Sequence, residues 1–388
     1  MNKTILTAES VCQGHPDKLC DFIADSVLDA CLEIDKMSRV ACEVMATKNK
    51  IVVAGEITCN GKLYLKKVVK DALRRAGYNP NFFKITSYIS KQSSDIAGGV
   101  DNALESRNGD HSMFSELGAG DQGTVYGFAT NETDEMLPLP IVLAHGICRG
   151  VDRARRTGNI KGILPDGKAQ VSVEYENGKA VRVKNITVSV QHYKNKDLEE
   201  LREEIISKVL YNVFKNFPYD DNTEILVNPS GRFVVGGTVA DTGLTGRKLM
   251  VDSYGGLASH GGGAFCGKDS TKVDRSGAYM ARYVAKNIVA SGLASKCEVA
   301  ISYAIGKADP VSVSVNAFGT SKLSSGQLSE IVQRVFLLRP AAIIEKLRLR
   351  RPCYKSTAVY GHFGKDTYDW EICDKVEELR KVASEYGY

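Results

Sequence analysis

Leu19, Phe22, Ile23, Val27, Cys31 and Ile34 recur at the three-to-four-residue spacing of one helix face. Pro16 stands just ahead of them, where a first helical turn has no use for the missing N–H, so the pattern predicts a helix over 16–35. Strand-like runs follow at 40–46 and 51–58, then a helix over 63–76 and a strand at 83–90. Residues 91–123 are rich in Ser, Gly, Asp and Asn without periodicity, the composition of a lid or binding loop. The pattern then resumes with a strand at 124–129, a helix at 140–156, strands at 170–174 and 181–193, and a helix at 198–217. A third round has strands at 224–227 and 233–236, a glycine-rich segment at 255–267 and a helix at 276–291. Strands at 298–305 and 311–318 and helices at 327–336 and 341–347 complete it.

Each round reads helix, two strands, helix, which predicts an α+β fold of three similar α/β modules over 1–100, 101–222 and 223–388. Closely spaced strand pairs argue for antiparallel hairpins over an all-parallel sheet. Asp21, Asp25 and Asp29, at i, i+4 and i+8 of the first helix, read as a solvated stripe.

Composition narrows the function classes. Hydrophobic residues make up 43% of the 388 and charged residues 25%, the balance of a soluble globular protein with room for two or three domains. No apolar run reaches the length of a membrane span, and the N-terminus shows no secretory h-region, so a cytoplasmic protein is expected. The ten cysteines form no CxxC pair and the six histidines no HExxH, which points to reduced, mostly buried thiols and away from zinc. The net charge of +5 is modest; the basic run Lys346–Lys355 reads as a solvated face or a subunit contact more readily than as a nucleic-acid surface.

Three segments carry candidate chemistry. Gly118–Gly123 fits G-x-G-x-x-G, but a polar loop precedes it and a strand follows, the reverse of a dinucleotide site. Gly262–Asp269 nearly fits the P-loop, yet Asp269 stands where a hydroxyl would hold magnesium. Its glycines, Lys268, Lys272 and the helix start beyond them still suit an anion cradle more readily than a flexible glycine loop with solvated lysines. Gly14-His15-Pro16-Asp17-Lys18 places a histidine and a carboxylate at a helix N-terminus, where His15 can meet a phosphate oxygen and Asp17 a magnesium ion; taken alone, the segment reads more simply as Asp17 complementing the helix dipole with His15 incidental. Asp241, Arg247 and Lys248 share a glycine-rich loop that suits a nucleotide or an ordinary surface turn.

Together these segments resemble the S-adenosylmethionine synthetases: GHPDK, GAGDQG and GGGAFxGKDxxKVDRS are signatures of that family. The likeness extends to Phe128–Thr133, Gly231–Gly237, Gly243–Lys248 and Tyr360–Gly364, and so over nearly the whole chain. The resemblance implies three modules in pseudo-threefold arrangement, with mixed and antiparallel sheets packed on helices. It also implies a methionine adenosyltransferase using ATP and L-methionine, with two Mg²⁺ per site and K⁺, as a homotetramer built from dimers, with no membrane or nucleic-acid partner.

By position, the resemblance implies that His15 contacts the triphosphate, that Asp17 and Asp274 hold Mg²⁺, and that Glu43 is the K⁺ ligand. Glu56 and Gln92 would grip the methionine head group, and Asp121 would orient substrate. Asp166, Lys168, Arg232, Phe233 and Asp241 would contact nucleotide, with Asp241 also near methionine. Arg247, Lys248, Ala264 and Lys268 would contact triphosphate or adenosine, and Lys272 would lie near methionine and phosphate. His15, Asp121, Lys168, Arg247, Lys268 and Lys272 are thus the expected catalytic set, and residues 92–102 match the family's gating loop. Gln13, Gly167 and Cys266 depart from the common family pattern. The competing enzyme reading is a phosphotransferase or NTPase using the Gly262–Lys268 loop.

Overall fold

The computed structural model describes residues 3–92, 98 and 100–388. In chain order, β1 (Lys3–Val11) is followed by α1 (Pro16–Ile34), β2 (Arg39–Thr47), β3 (Lys50–Thr58), α2 (Leu65–Ala76) and β4 (Lys84–Ser90). Next come β5 (Gly123–Thr130), α3 (Leu139–Thr157), β6 (Ile163–Glu176), β7 (Lys179–His192) and α4 (Leu198–Ile205). The last part holds β8 (Glu224–Val227), β9 (Gly243–Leu244), α5 (Val273–Ala290), β10 (Lys296–Tyr303), β11 (Ser312–Asn316), α6 (Ser325–Val335), α7 (Pro340–Lys346) and α8 (Val376–Ser384).

These strands form three sheets, ordered β1-β6-β7-β8, β11-β10-β5 and β4-β3-β2-β9. The hairpins β2–β3, β6–β7 and β10–β11 are antiparallel, as the short turns require. β3–β4 and β7–β8 are parallel, because α2 and α4 lie between their strands and carry the chain back to the same end. The sheets are therefore mixed, and the class is α+β. Each sheet also borrows from a distant part of the chain: β1 pairs with β6, β5 with β10, and β9 with β2.

α1 and α5 are the inner helices. Leu19, Ile23, Val27 and Cys31 of α1 and Tyr279, Tyr283 and Ile288 of α5 are buried in the largest apolar cluster. A second cluster joins α3 to β6 and β7 through Ile147, Val151, Val171, Val173, Val188 and Val190. Helix and sheet approach closely at Gly127 of β5, where an added Cβ would stand 1.9 Å from the carbonyl carbon of Ala281 in α5.

Several expectations need correction. No strand forms at 233–236: His192 N donates to Phe233 O and Phe233 N to His192 Nε2, each at 3.0 Å, so a side chain takes the place of a strand partner. The helix expected over 198–217 is interrupted by a π-turn at Ile206–Leu210, resumes α-geometry at Tyr211–Val213 and ends there. β1 and α8 were not expected at all, and β6 begins earlier than predicted, through Pro165 and Gly167. Asp21, Asp25 and Asp29 are not solvated; each is at most 1% exposed. The cysteines agree with the sequence reading: all ten are free thiols, most of them buried.

Gly127→Ala should cost about 3 kcal/mol or more, because backbone faces backbone there and neither side can yield like a flexible side chain. Urea denaturation followed through Trp370 measures the loss.

Candidate active site

The α1 carboxylates run down one side of the helix and each grips the backbone of a remote loop. Asp17 Oδ1 accepts from Leu244 N at 3.0 Å, and Asp21 Oδ1 from Gly246 N at 2.8 Å. Asp25 Oδ1 accepts from Gly267 N at 2.8 Å, while Asp29 accepts from Tyr354 N and Lys355 N at 2.8 and 3.0 Å. Asp25 is also held by both terminal nitrogens of the buried Arg275, each at 2.7 Å. Side chains four residues apart stack along a helix, so one helix can index four loop positions in order. Sequence reasoning named Asp17 but missed the roles of Asp21, Asp25 and Asp29, and with them Arg275 and Lys18, which is fully buried between Asp21 and Asp252.

At the helix start, His15 caps α1, its Nδ1 accepting from Asp17 N at 3.2 Å. Burial, then the charges of Lys248 and Lys168, press the imidazole down to about 3, so the ring is neutral. Asp17 Oδ2 meets Lys248 Nζ at 2.8 Å, and Arg247 Nε stands 3.6 Å from Oδ1. Burial opposes ionisation of Asp17, but Lys248 and the Leu244 N–H outweigh it and hold the carboxyl below its ordinary range.

β6 supplies the facing wall. Cys12 N donates to Gly167 O at 2.9 Å, and Gly14 lies against Pro165 so closely that a Cβ would fall 2.3 Å from its Cβ. Asp166 Oδ2 accepts from Gly237 N at 2.8 Å, and burial, partly offset by that bond and by Lys168, pushes its carboxyl up. Behind the turn, Asp152 Oδ2 accepts from Gln13 N at 2.8 Å and from the Tyr360 hydroxyl at 2.7 Å. Gln13 is thus held firmly through its backbone.

The glycine-rich loop forms the other side. Gly246 and Ala264 touch, an added Cβ on the first meeting the Cβ of the second at 2.7 Å. Gly263 passes directly over Asp274, whose Oδ2 holds Lys268 Nζ at 2.6 Å. Asp269 caps the turn by accepting from Val40 N at 2.7 Å and Thr271 N at 2.9 Å, and it holds the Lys272 ammonium. No strand precedes this loop, so it is not a P-loop. Glu43 on β2 is pushed up by desolvation first, with Lys268 opposing and Glu56 adding to the shift.

The chain thus brings together His15, Asp17, Lys168, Arg247 and Lys248, with Asp166 and Asp241 beside them. It brings Glu43, Glu56, Lys268 and Asp274 together on the adjoining side. Asp241 is exposed and accepts from Thr242 N at 2.9 Å. Asp121 is likewise exposed and accepts from Gln122 N at 2.8 Å, although Gly120 packs its loop onto Thr271 O next to Lys272. Arg232 is exposed, and Phe233 is tied to His192. Gln92 N donates to Thr58 Oγ1 at 3.4 Å, while most of the expected gating loop, 93–97 and 99, lies outside the described residues. The dinucleotide reading of Gly118–Gly123 fails in the structure too, since β5 follows it and no helix does.

Asp252, Cys266 and His362 form a buried cluster whose ligand atoms lie within 4.8 Å of one another. Lys18 already engages Asp252, and Cys266 Sγ lies 3.4 Å from His362 Nε2. This is the group that anchors Cys266.

Models of the S-adenosylmethionine synthetase N-terminal, central and C-terminal domains match residues 3–94, 116–233 and 235–372. The S-adenosylmethionine synthase of Desulforudis audaxviator (strain MP104C) is 49% identical over 393 residues, covering 99% of this chain and 100% of that protein. The S-adenosylmethionine synthase of Clostridium botulinum (strain Alaska E43 / Type E3) is 49% identical over 388 residues, covering 98% and 99%.

Asp25→Ala should destabilise the fold by about 3–5 kcal/mol, since it strands the buried Arg275 guanidinium, and chemical denaturation measures it. Burial raises the Asp29 carboxyl from 3.8 to about 6 despite its two backbone donors. A carboxyl raised in the fold contributes stability that is complete below its unfolded value and is lost as pH rises through its folded one. The stability gap between the parent and Asp29→Asn should therefore be widest below about pH 4 and shrink towards pH 6. Urea melts across that range would register the opposite trend if the carboxylate form were the one favoured.

Proposed function

The chain belongs to the S-adenosylmethionine synthetase family, and from that membership we infer that it is a methionine adenosyltransferase, joining ATP and L-methionine into S-adenosylmethionine. One observation carries the site assignment: a neutral, buried His15 at the start of α1 has Lys168 and Lys248 beside it, with Arg247 on the neighbouring Asp17. A helix N-terminus beside three cations favours a polyanion. With Nδ1 accepting from Asp17 N, the neutral ring keeps Nε2–H free to donate to a phosphate or bridging oxygen.

Methionine sulfur is uncharged and nucleophilic, so no base need activate it. The sulfur lone pair forms a bond to C5′ of ATP as the C5′–O bond breaks, and that bonding pair leaves with the triphosphate. The sulfur becomes a sulfonium, and water then divides the triphosphate into phosphate and pyrophosphate. Catalysis rests on alignment and on stabilising charge that grows on the departing oxygen. His15, Lys168, Arg247, Lys248 and Lys268 are suited to that charge. Asp166, Asp241, Arg232, Phe233 and Ala264 are assigned to the nucleotide; Glu56, Gln92, Asp241 and Lys272 to methionine; and Asp121 to substrate orientation.

Asp17 and Asp274 offer the hard carboxylate oxygens that Mg²⁺ prefers, and each now neutralises a lysine that a phosphate could take over. Glu43 is the corresponding choice for K⁺. When bound, the cations would offset the charge of the leaving triphosphate. The phosphotransferase reading has no support, since the Gly262–Lys268 loop lacks the strand that a P-loop needs.

Free thiols throughout suit a cytoplasmic location, and no helix among the described residues is long and apolar enough to cross a membrane. Met45, Tyr88 and Leu244, left exposed on the β4-β3-β2-β9 sheet, support an oligomer, assigned here as a homotetramer.

Protein supplied with ATP, methionine, Mg²⁺ and K⁺ should yield a sulfonium product with phosphate and pyrophosphate, and no ADP. Lys268→Ala should slow product formation about a hundredfold, roughly 3 kcal/mol, and Asp17→Asn should do so while retaining a folded chain. Release of ADP, or near-normal turnover in a folded Asp17→Asn protein, would defeat the assignment.

A further inference from the structure

An open cleft of about 760 Å³, which His15 does not line, lies between α3 and the segment 351–368. Three cations from separate stretches of chain line it: Arg149 of α3, Arg351 from the basic run and Lys365. No carboxylate is among its lining residues. Of the acids around it, Asp152 accepts from the Tyr360 hydroxyl and from Gln13 N, Asp369 pairs with Arg348 and Arg351, and the Asp366 side chain is 96% exposed. The Lys365 ammonium is held by two carbonyls, Ser356 O at 2.9 Å and Val359 O at 2.8 Å, which fix its place without cancelling its charge. Arg149 lies over the Tyr360 ring at 5.6 Å from its centroid. Arg351 Nε is buried without a hydrogen-bond partner among the described residues.

We propose that this cleft is a second anion site, distinct from the catalytic one, which takes the phosphate groups of a small phosphorylated ligand on Arg149, Arg351 and Lys365. Its volume falls within the range of small-molecule sites, and two guanidinium groups with an ammonium are the donor set that phosphate oxygens prefer. The gathering of cations has a visible consequence: burial, then the repulsion of Arg149 and Lys18, outweighs the attraction of Asp252 and presses the Lys365 ammonium down to about 7. An incoming anion would relieve that repulsion. The ligand's source is open to test, since free pyrophosphate and the phosphate tail of a nucleotide present the same oxygens.

The chain carries a built-in reporter. Trp370, its only tryptophan, stacks on Tyr368 at 4.5 Å, and Tyr368 lines the cleft. Titrating the full-length protein with inorganic pyrophosphate should change tryptophan emission saturably. The change should need about tenfold more pyrophosphate in Arg149→Ala, a loss in line with one charged hydrogen bond. Arg149→Ala should keep parental turnover, and Lys268→Ala should keep the emission response. ATP acting at lower concentration than pyrophosphate would identify a nucleotide as the ligand; pyrophosphate acting alone at the same concentration would identify the free anion. A flat titration overturns the proposal, as does a response unchanged in Arg149→Ala. A response abolished in Lys268→Ala but intact in Arg149→Ala would place the signal at the catalytic site instead and overturn it equally. Loss of turnover in Lys268→Ala tests the catalytic reading separately.

Discussion

The structure depends on one helix carrying four buried carboxylates. Asp17, Asp21, Asp25 and Asp29 stand a turn apart on α1, and each accepts backbone N–H groups from a loop more than two hundred residues further along the chain. A buried carboxylate is costly unless donors surround it, so each aspartate admits only the loop position that satisfies it. The glycines at 246 and 267 fit this demand, since both have positive φ and leave no side chain between amide and acid. α1 is therefore a ruler against which the site loops are set.

The same economy of charge runs through the interior. Lys18 lies between Asp21 and Asp252, and Arg275 closes on Asp25 while its Nε donates to the Tyr279 hydroxyl at 2.9 Å. Tyr279 in turn meets His362 Nδ1 at 2.7 Å. Burial holds Asp252 up, to about 7, even with Lys18 against it. Such a network is stable only when complete, which ties correct placement of the C-terminal segment around His362 to correct placement of α1.

Helix α1, the hairpins and the glycine-rich loop could be read from spacing alone, because their period and turn residues carry the signal locally. The aspartate stripe could not. Acids at i, i+4 and i+8 look alike whether they face water or bury against amides, and the deciding partners at Gly246, Gly267 and Tyr354 lie far off in sequence. The run Gly231–Gly237 has strand-forming residues, yet the His192 ring intervenes and leaves Val235 66% exposed. β1 was hidden by its threonines and glutamate, which cover an edge whose other side pairs with β6. Of the site, the motifs named His15, Asp17 and Lys268 from their chemistry, but nothing local announced Lys18 or Arg275.

The exchange of strands between distant stretches bears on how the molecule is made. β1 leaves the ribosome well before the rest of its sheet, for Glu174, which meets the Lys3 ammonium, lies 171 residues later, and β2 gains its outer neighbour only when Gly243 and Leu244 have emerged. Nascent chains must therefore carry open strand edges through much of synthesis, and folding that waits on such remote partners is slow and exposed to misassociation. A truncated message would yield a product with unsatisfied edges and unpaired α1 acids, a form suited to prompt clearance by proteases.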